Sequence, residues 1–186
     1  MDERELNILL SELRTFPTET EWIEFKTNND WELGKYISAL SNSACIHDKP
    51  YAYLVFGIEN KTHRIIGTTF DANTKAKGNE DLIPWLSRLL NPRIHFEHHI
   101  LNHTEGRVVI FKINATANTP VTFQGTAFIR VGSYTKKLSE YPEKERLIWT
   151  KEPMVQFENE IAKGNLNVDE VLKLLDYRIP SALYLL

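Results

Sequence analysis

Residues 51–58 read Tyr-Ala-Tyr-Leu-Val-Phe-Gly-Ile, an uncharged and largely β-branched or aromatic run. A run of this length and character forms a strand buried on both faces. The rest of the chain must therefore supply cover on each side of it, which favours a sheet with helices packed against it.

The flanking sequence offers those helices. Leu6, Leu9, Leu10 and Leu13 fall at the three-and-four spacing of an amphipathic helix over residues 3–14, ended by Phe16-Pro17. Residues 22–26 then alternate like a strand, with Trp22, Glu24 and Lys26 on one face and Ile23 and Phe25 towards the core. Asp30 can cap a second helix whose inner stripe is Leu33, Tyr36, Ile37, Leu40 and Ala44. Gly34 weakens that helix by about 1 kcal/mol relative to alanine. After the central run, residues 59–62 turn into a short partner strand over 63–67. A third helix is predicted between residues 79 and 90, and Pro84 must lie in its first turn, which moves its start towards Asp81.

Residues 93–101, 107–113 and 121–131 read as successive strands, the last broken by Gly125. Helices return after Ser139: Pro142 and Pro153 suit first turns, Gly164 a stop, and Asn167 with Glu170 a capping box. This order predicts an α+β fold, a mostly antiparallel or mixed sheet with packed helices followed by C-terminal helices. Residues 1–150 are expected to form one domain and 151–186 a helical extension. The apolar end of the chain, Ala182-Leu183-Tyr184-Leu185-Leu186, suits the start of a following region in a longer protein.

A single cysteine, Cys45, excludes an internal disulfide and points to a reducing, cytoplasmic setting. No stretch approaches the roughly 20 apolar residues of a membrane span, so no membrane partner is expected. With 22 Lys and Arg against 25 Asp and Glu, the chain cannot coat nucleic acid by bulk charge, and any such site must be local. The charge is unevenly placed. The first 24 residues carry seven acids against two arginines, whereas residues 129–151 carry six bases against three acids.

Three segments could carry chemistry. In residues 19–26, Glu19 and Glu24 are hard oxygen donors of the kind Mg²⁺ or Mn²⁺ takes, but on an uninterrupted strand they point to opposite faces and converge only if the chain bends. The same segment reads equally as a half-buried strand with a solvated Glu-Lys face. In residues 127–137, a strand ends in Gly132-Ser133-Tyr134-Thr135. Its backbone N–H groups can form an anion nest, Arg130, Lys136 and Lys137 supply charge, and Ser133 and Thr135 supply hydroxyls. Phosphate is the natural ligand of that set, and a plain turn is the alternative. His95, His98, His99 and His103 have no zinc-finger spacing and read as a surface strand.

Taken in order, Glu19-Thr20-x-x-Ile23-Glu24-Phe25-Lys26, Ser38-Ala39-Leu40-Ser41-Asn42-Ser43-Ala44, Leu54-Val55-Phe56-Gly57-Ile58-Glu59-Asn60, Ile66-Gly67 and Phe128-Ile129-Arg130-Val131-Gly132-Ser133-x-Thr135 resemble the Schlafen AlbA-like domain over roughly residues 17–150. The resemblance implies a nucleic-acid-binding domain of DNA or RNA, common in bacteria at the front of transcriptional-regulator-like proteins. In that role Arg130, Ser133, Thr135, Lys136 and Lys137 would hold phosphates, with Lys26 as an additional contact and no cofactor. In the eukaryotic branch the domain is similar to a metal-dependent endoribonuclease of tRNA and rRNA, which would place Mg or Mn on Glu19 and Glu24. The third acid of that set falls on Asn60, which brings no charge and should hold a divalent ion less tightly. A third reading is an interaction module, forming a homodimer or packing on further domains of a longer parent.

Overall fold

The computed structural model describes residues 1–16, 20–28 and 32–151. Helix α1 (Glu3–Arg14) opens with a reciprocal cap: the Glu5 N–H donates to the Asp2 carboxylate at 2.7 Å, and the Asp2 N–H donates to the Glu5 carboxylate at 2.8 Å. Strand β1 (Ile23–Lys26) pairs in parallel with β2 (Tyr51–Phe56). A parallel pair needs a crossover, and helix α2 (Leu33–Ile46) provides it. The other neighbour of β2 is β5 (Gly106–Asn114), antiparallel to it, and β5 forms a hairpin with β4 (Phe96–His103). The first sheet therefore runs β1-β2-β5-β4.

Both faces of β2 and β5 are covered, as the run at 51–58 demands. On one face Ile23, Phe25, Val55, Val108 and Ile110 pack with Leu6, Leu10 and Leu13 of α1. On the other, Leu54, Phe56, Val109 and Phe111 pack with Leu33, Tyr36, Ile37 and Leu40 of α2. Beyond α2 lies a second, antiparallel sheet in the order β3-β6-β7-β8, formed by Leu90–Asn91, Thr122–Phe123, Thr126–Val131 and Tyr134–Lys137. Helix α3 (Leu82–Leu89) starts after Asp81, with Pro84 in its first turn. Helix α4 (Pro142–Thr150) packs Ile148 against Cys45, Ile129 and Leu138.

Helix α2 is thus buried on all sides, with only Lys35 and Ile46 outside its buried set. Such a helix is expected to be apolar throughout, yet it contains Ser38, Ser41, Asn42 and Ser43, each fully buried. Every one of them bonds the backbone of a neighbouring segment. The Ser38 hydroxyl donates to Val121 O at 2.7 Å and accepts from the Phe128 N–H at 3.1 Å. Asn42 donates to Val121 O and Phe128 O and accepts from the Val121 N–H. Ser41 donates to Asn114 O, and Ser43 accepts from the Arg130 N–H. These side chains supply the partners that buried backbone groups require.

Some expectations shift. The predicted strand over 63–67 reduces to one bridge, Ile58 to Ile65, because the chain turns back on Gly57, whose carbonyl accepts from both the Ile66 and Gly67 N–H groups. Gly57 has φ +96°, and a Cβ there would lie 2.7 Å from Arg107 O, so the Phe56-Gly57-Ile58 motif admits no side chain at its centre. The segment after Gly132 forms a further strand, β8, and β3 was not foreseen. Asp30, Pro153, Gly164, Asn167 and Glu170 lie outside the described residues, as does the extension beyond Lys151. No helix among the described residues is long and apolar enough to cross a membrane.

Gly34 has a packing role that its helix propensity conceals. A Cβ at this position would sit 2.2 Å from the ring of Phe123, itself buried in the core. Gly34→Ala should therefore destabilise the protein by about 1–3 kcal/mol through overpacking, although propensity alone favours alanine by about 1 kcal/mol. Urea denaturation measures the sign, and a stabilised variant would contradict the packing assignment.

Candidate functional site

Strands β7 and β8 form a hairpin whose turn is Gly132-Ser133, with Arg130 opposite Thr135 and Phe128 opposite Lys137. Ser133, Tyr134, Lys136 and Lys137 are exposed, and Thr135 is half-buried. Lys136 and Lys137 make no ion pair among the described residues. The Lys136 ammonium lies 5.8 Å from the Tyr134 ring centroid, two residues back on the same strand face.

Arg130 does not share this exposure. It is 1% exposed and its guanidinium pairs with Glu24, itself 2% exposed, while Nη1 donates to Thr135 Oγ1 at 3.2 Å. The second cation on Glu24 is Lys26, whose Nζ is 2.9 Å from Oε1 and 4.5 Å from the Tyr36 ring centroid. Burial works against the Lys26 charge, but the hydrogen bonds to Tyr36 and Glu24 outweigh it and raise its pKa above the ordinary lysine value. Of the proposed phosphate contacts, Arg130 and Lys26 are thus engaged with Glu24, Thr135 is engaged with Arg130, and Ser133, Lys136 and Lys137 face outward.

The turn does hold an anion, but one from the protein itself. The Gly132 N–H donates to Glu21 Oε1 at 2.9 Å, and Glu21 Oε2 receives Lys144 Nζ at 3.1 Å and His47 Nε2 at 2.6 Å. One carboxylate thereby ties the hairpin turn to α4 and to the end of α2. Burial raises the Glu21 pKa, and the bonds from His47, Gly132 and Lys144 more than offset this, so the carboxyl is held below its ordinary value. Sequence reading passed over Glu21 in favour of Glu19 and Glu24. It also missed Lys35, whose ammonium lies 5.9 Å from the Phe128 ring and pairs with Glu32. A lone lysine in an otherwise buried helix was the available signal.

Glu19 lies outside the described residues, and Asn60 sits exposed on the turn after Ile58. The two oxygens of Glu24 already face Arg130 and Lys26, so this carboxylate is neutralised from within. Among the described residues no group of three or more His, Cys, Asp or Glu is placed to hold a metal ion. Of the proposed acid set, Glu24 is thus placed against internal cations and Asn60 on an exposed turn, while Glu19 falls outside the described residues. His95, just before β4, and His99 within it flank Glu97, each 3.2 Å from it, while His98 lies on the other face against Phe111.

The Glu21 contacts carry a pH signature. A carboxyl whose folded pKa is depressed contributes stability that is complete above its unfolded value of 4.5 and is lost as pH falls through the lower folded value. Glu21→Gln should cost about 1–2 kcal/mol at pH 7, and the gap to wild type should close as the pH falls below about 4. Thermal melts of both proteins from pH 7 to pH 3 measure it. A gap independent of pH would contradict the assignment.

Comparisons with known proteins give the family. The family described as Schlafen, AlbA_2 matches residues 19–139. Among solved structures, the DIP2311 protein from Corynebacterium diphtheriae is 20% identical with a TM-score of 0.43, and the match covers 82% of this chain and 30% of that one. The N-terminal domain of a RecG-related protein from Nitrosomonas europaea is 21% identical with a TM-score of 0.41, covering 69% of this chain and 90% of that one. The search of curated proteins returns no match. With its motifs carried on the buried helix α2, the strand β2 and the β7–β8 hairpin, the chain belongs to the Schlafen AlbA_2 family.

Proposed function

We propose that this domain binds nucleic acid through the phosphates, using the outer side of the β7–β8 hairpin. The observation that carries the reading is the division of the hairpin's basic residues. Arg130 is spent inside on Glu24, whereas Lys136 and Lys137 stand exposed beside the Ser133 hydroxyl with no acidic partner among the described residues. Lysines in that position act as point charges for phosphate. Lys35, partly exposed on the Phe128 side of β7, extends the same basic rim. The chain's net charge of −3 does not oppose this, because a phosphate answers to the local field of the hairpin more than to the summed charge of the chain.

The hairpin is braced for such a load. Glu21 holds the turn N–H and Glu24 holds Arg130, so a ligand meets a backbone already fixed in place and the ordering cost of binding falls on the lysine side chains. In this reading the family resemblance supplies the context, a nucleic-acid-holding domain of a transcriptional-regulator-like protein. The acids serve to anchor the hairpin and perform no cleavage.

Binding of this type releases counterions, so affinity should fall steeply with salt, with a slope of roughly −0.7 to −0.9 per phosphate neutralised. Replacing Lys136 and Lys137 together by alanine should weaken binding and lower the magnitude of that slope by about 1.4–1.8. Fluorescence anisotropy with labelled oligonucleotides between 50 and 200 mM NaCl reads both. Binding indifferent to salt, or a double variant with an unchanged slope, would remove the hairpin from the interface.

A further inference from the structure

Among the described residues, the most exposed of the large apolar side chains is Tyr134, 69% accessible, at the first position of β8 immediately after the Gly132-Ser133 turn. Its ring joins no core cluster among the described residues, and the Lys136 ammonium approaches it at 5.8 Å. Neighbouring aromatic residues of the second sheet behave differently: Phe123 is buried in the core and Phe128 packs against it. Exposing a ring of this size forgoes the gain of burying it, which is of the order of a core contact. The sequence at this point is also set for contact: Ser133 lies before it and Lys136 is 5.8 Å from the ring on the same strand face, while Lys137 extends from the opposite face of the same edge strand. An aromatic face beside an exposed lysine combines a stacking platform with charge for the adjoining backbone.

We propose that Tyr134 stacks on an unpaired base, so that the ligand of the hairpin is single-stranded nucleic acid. This inference rests on the phosphate-binding reading above and names its substrate class. The geometry distinguishes the two forms of ligand. In a duplex the base faces are covered by their neighbours in the stack and only phosphates, sugars and groove edges are open, so lysines can engage it but a tyrosine ring has no base face to meet. In a single strand the bases splay from the backbone, and a ring about two residues along the strand from a lysine can take a base while the lysine takes its phosphate. Stacking is indifferent to base identity, because every base has a π-face, so sequence selectivity should be modest.

The test uses the full chain and labelled 12-nucleotide probes, as single-stranded RNA, single-stranded DNA and a blunt duplex of the same sequence. Wild type should bind the single strands more tightly than the duplex. Tyr134→Ala should weaken single-strand binding by about tenfold while leaving duplex binding unchanged, and Tyr134→Phe, which keeps the ring and loses the hydroxyl, should restore it. Because the side chain is exposed, the alanine variant is expected to fold, and its thermal melt checks this. Equal binding of single strand and duplex, or a Tyr134→Ala variant with undiminished single-strand affinity, would overturn the stacking proposal. If Lys136 and Lys137 still mattered in that case, the phosphate reading would stand. Absence of binding to all three probes would overturn both.

Discussion

The structure depends on a helix that is buried on every side and yet polar on one of them. Helix α2 lies between two sheets, so the backbone groups of β7 and of the segment at Val121 that face it have no access to water. Ser38, Asn42 and Ser43 meet those groups one by one. A buried N–H or C=O left without a partner costs about 1–3 kcal/mol, so an apolar helix of the same shape would leave several such penalties in place. The Ser-Ala-Leu-Ser-Asn-Ser-Ala segment is therefore a docking rail. It fixes the height and register of the second sheet against the first, and with them the position of the β7–β8 hairpin.

Two carboxylates three residues apart then fasten that hairpin from below. Glu21 binds the turn and Lys144, while Glu24 binds Arg130 in an interior where leaving either charge alone would cost about 3–5 kcal/mol. At the surface, the exposed Asp48 pairs with Lys151 at 2.5 Å. The acidic beginning of the chain and its basic later stretch are thus partly complementary halves of one internal arrangement. What the pairing leaves over is informative: Lys136 and Lys137 remain outside it on the two faces of β8, Lys136 beside the exposed ring of Tyr134.

Much of the fold was legible in the sequence because it rests on periodicity. The leucines of α1, the uninterrupted run of β2 and the position of Pro84 each identify an element from a few residues. Strand β8 was hidden because Tyr-Thr-Lys-Lys is a polar edge strand without the alternation that a half-buried strand shows, and β3 is only two residues long. The site was less legible for a different reason. Along Phe128-Ile129-Arg130-Val131, alternation with an apolar Ile129 turned inward suggests that Arg130 points to water, and this fails because Glu24 waits on the other face. Glu21 was missed likewise, since Gly132, Lys144 and His47 reach it only through the tertiary fold. Local pattern reports which residues can be buried, and the identity of a charged group's partner is a property of the assembled layers.

The claim at the centre of this account is that the outward side of the β7–β8 hairpin is where nucleic acid is held. The most direct measurement is an NMR titration of isotopically labelled protein with an unlabelled single-stranded oligonucleotide, following each backbone amide. The account predicts that shifts concentrate at Ser133, Tyr134, Thr135, Lys136 and Lys137, with a lesser effect at Lys35, while amides of Leu6 and Leu10 on α1 stay in place. Shifts centred on α1 or on the histidine face of β4, with the hairpin silent, would contradict it.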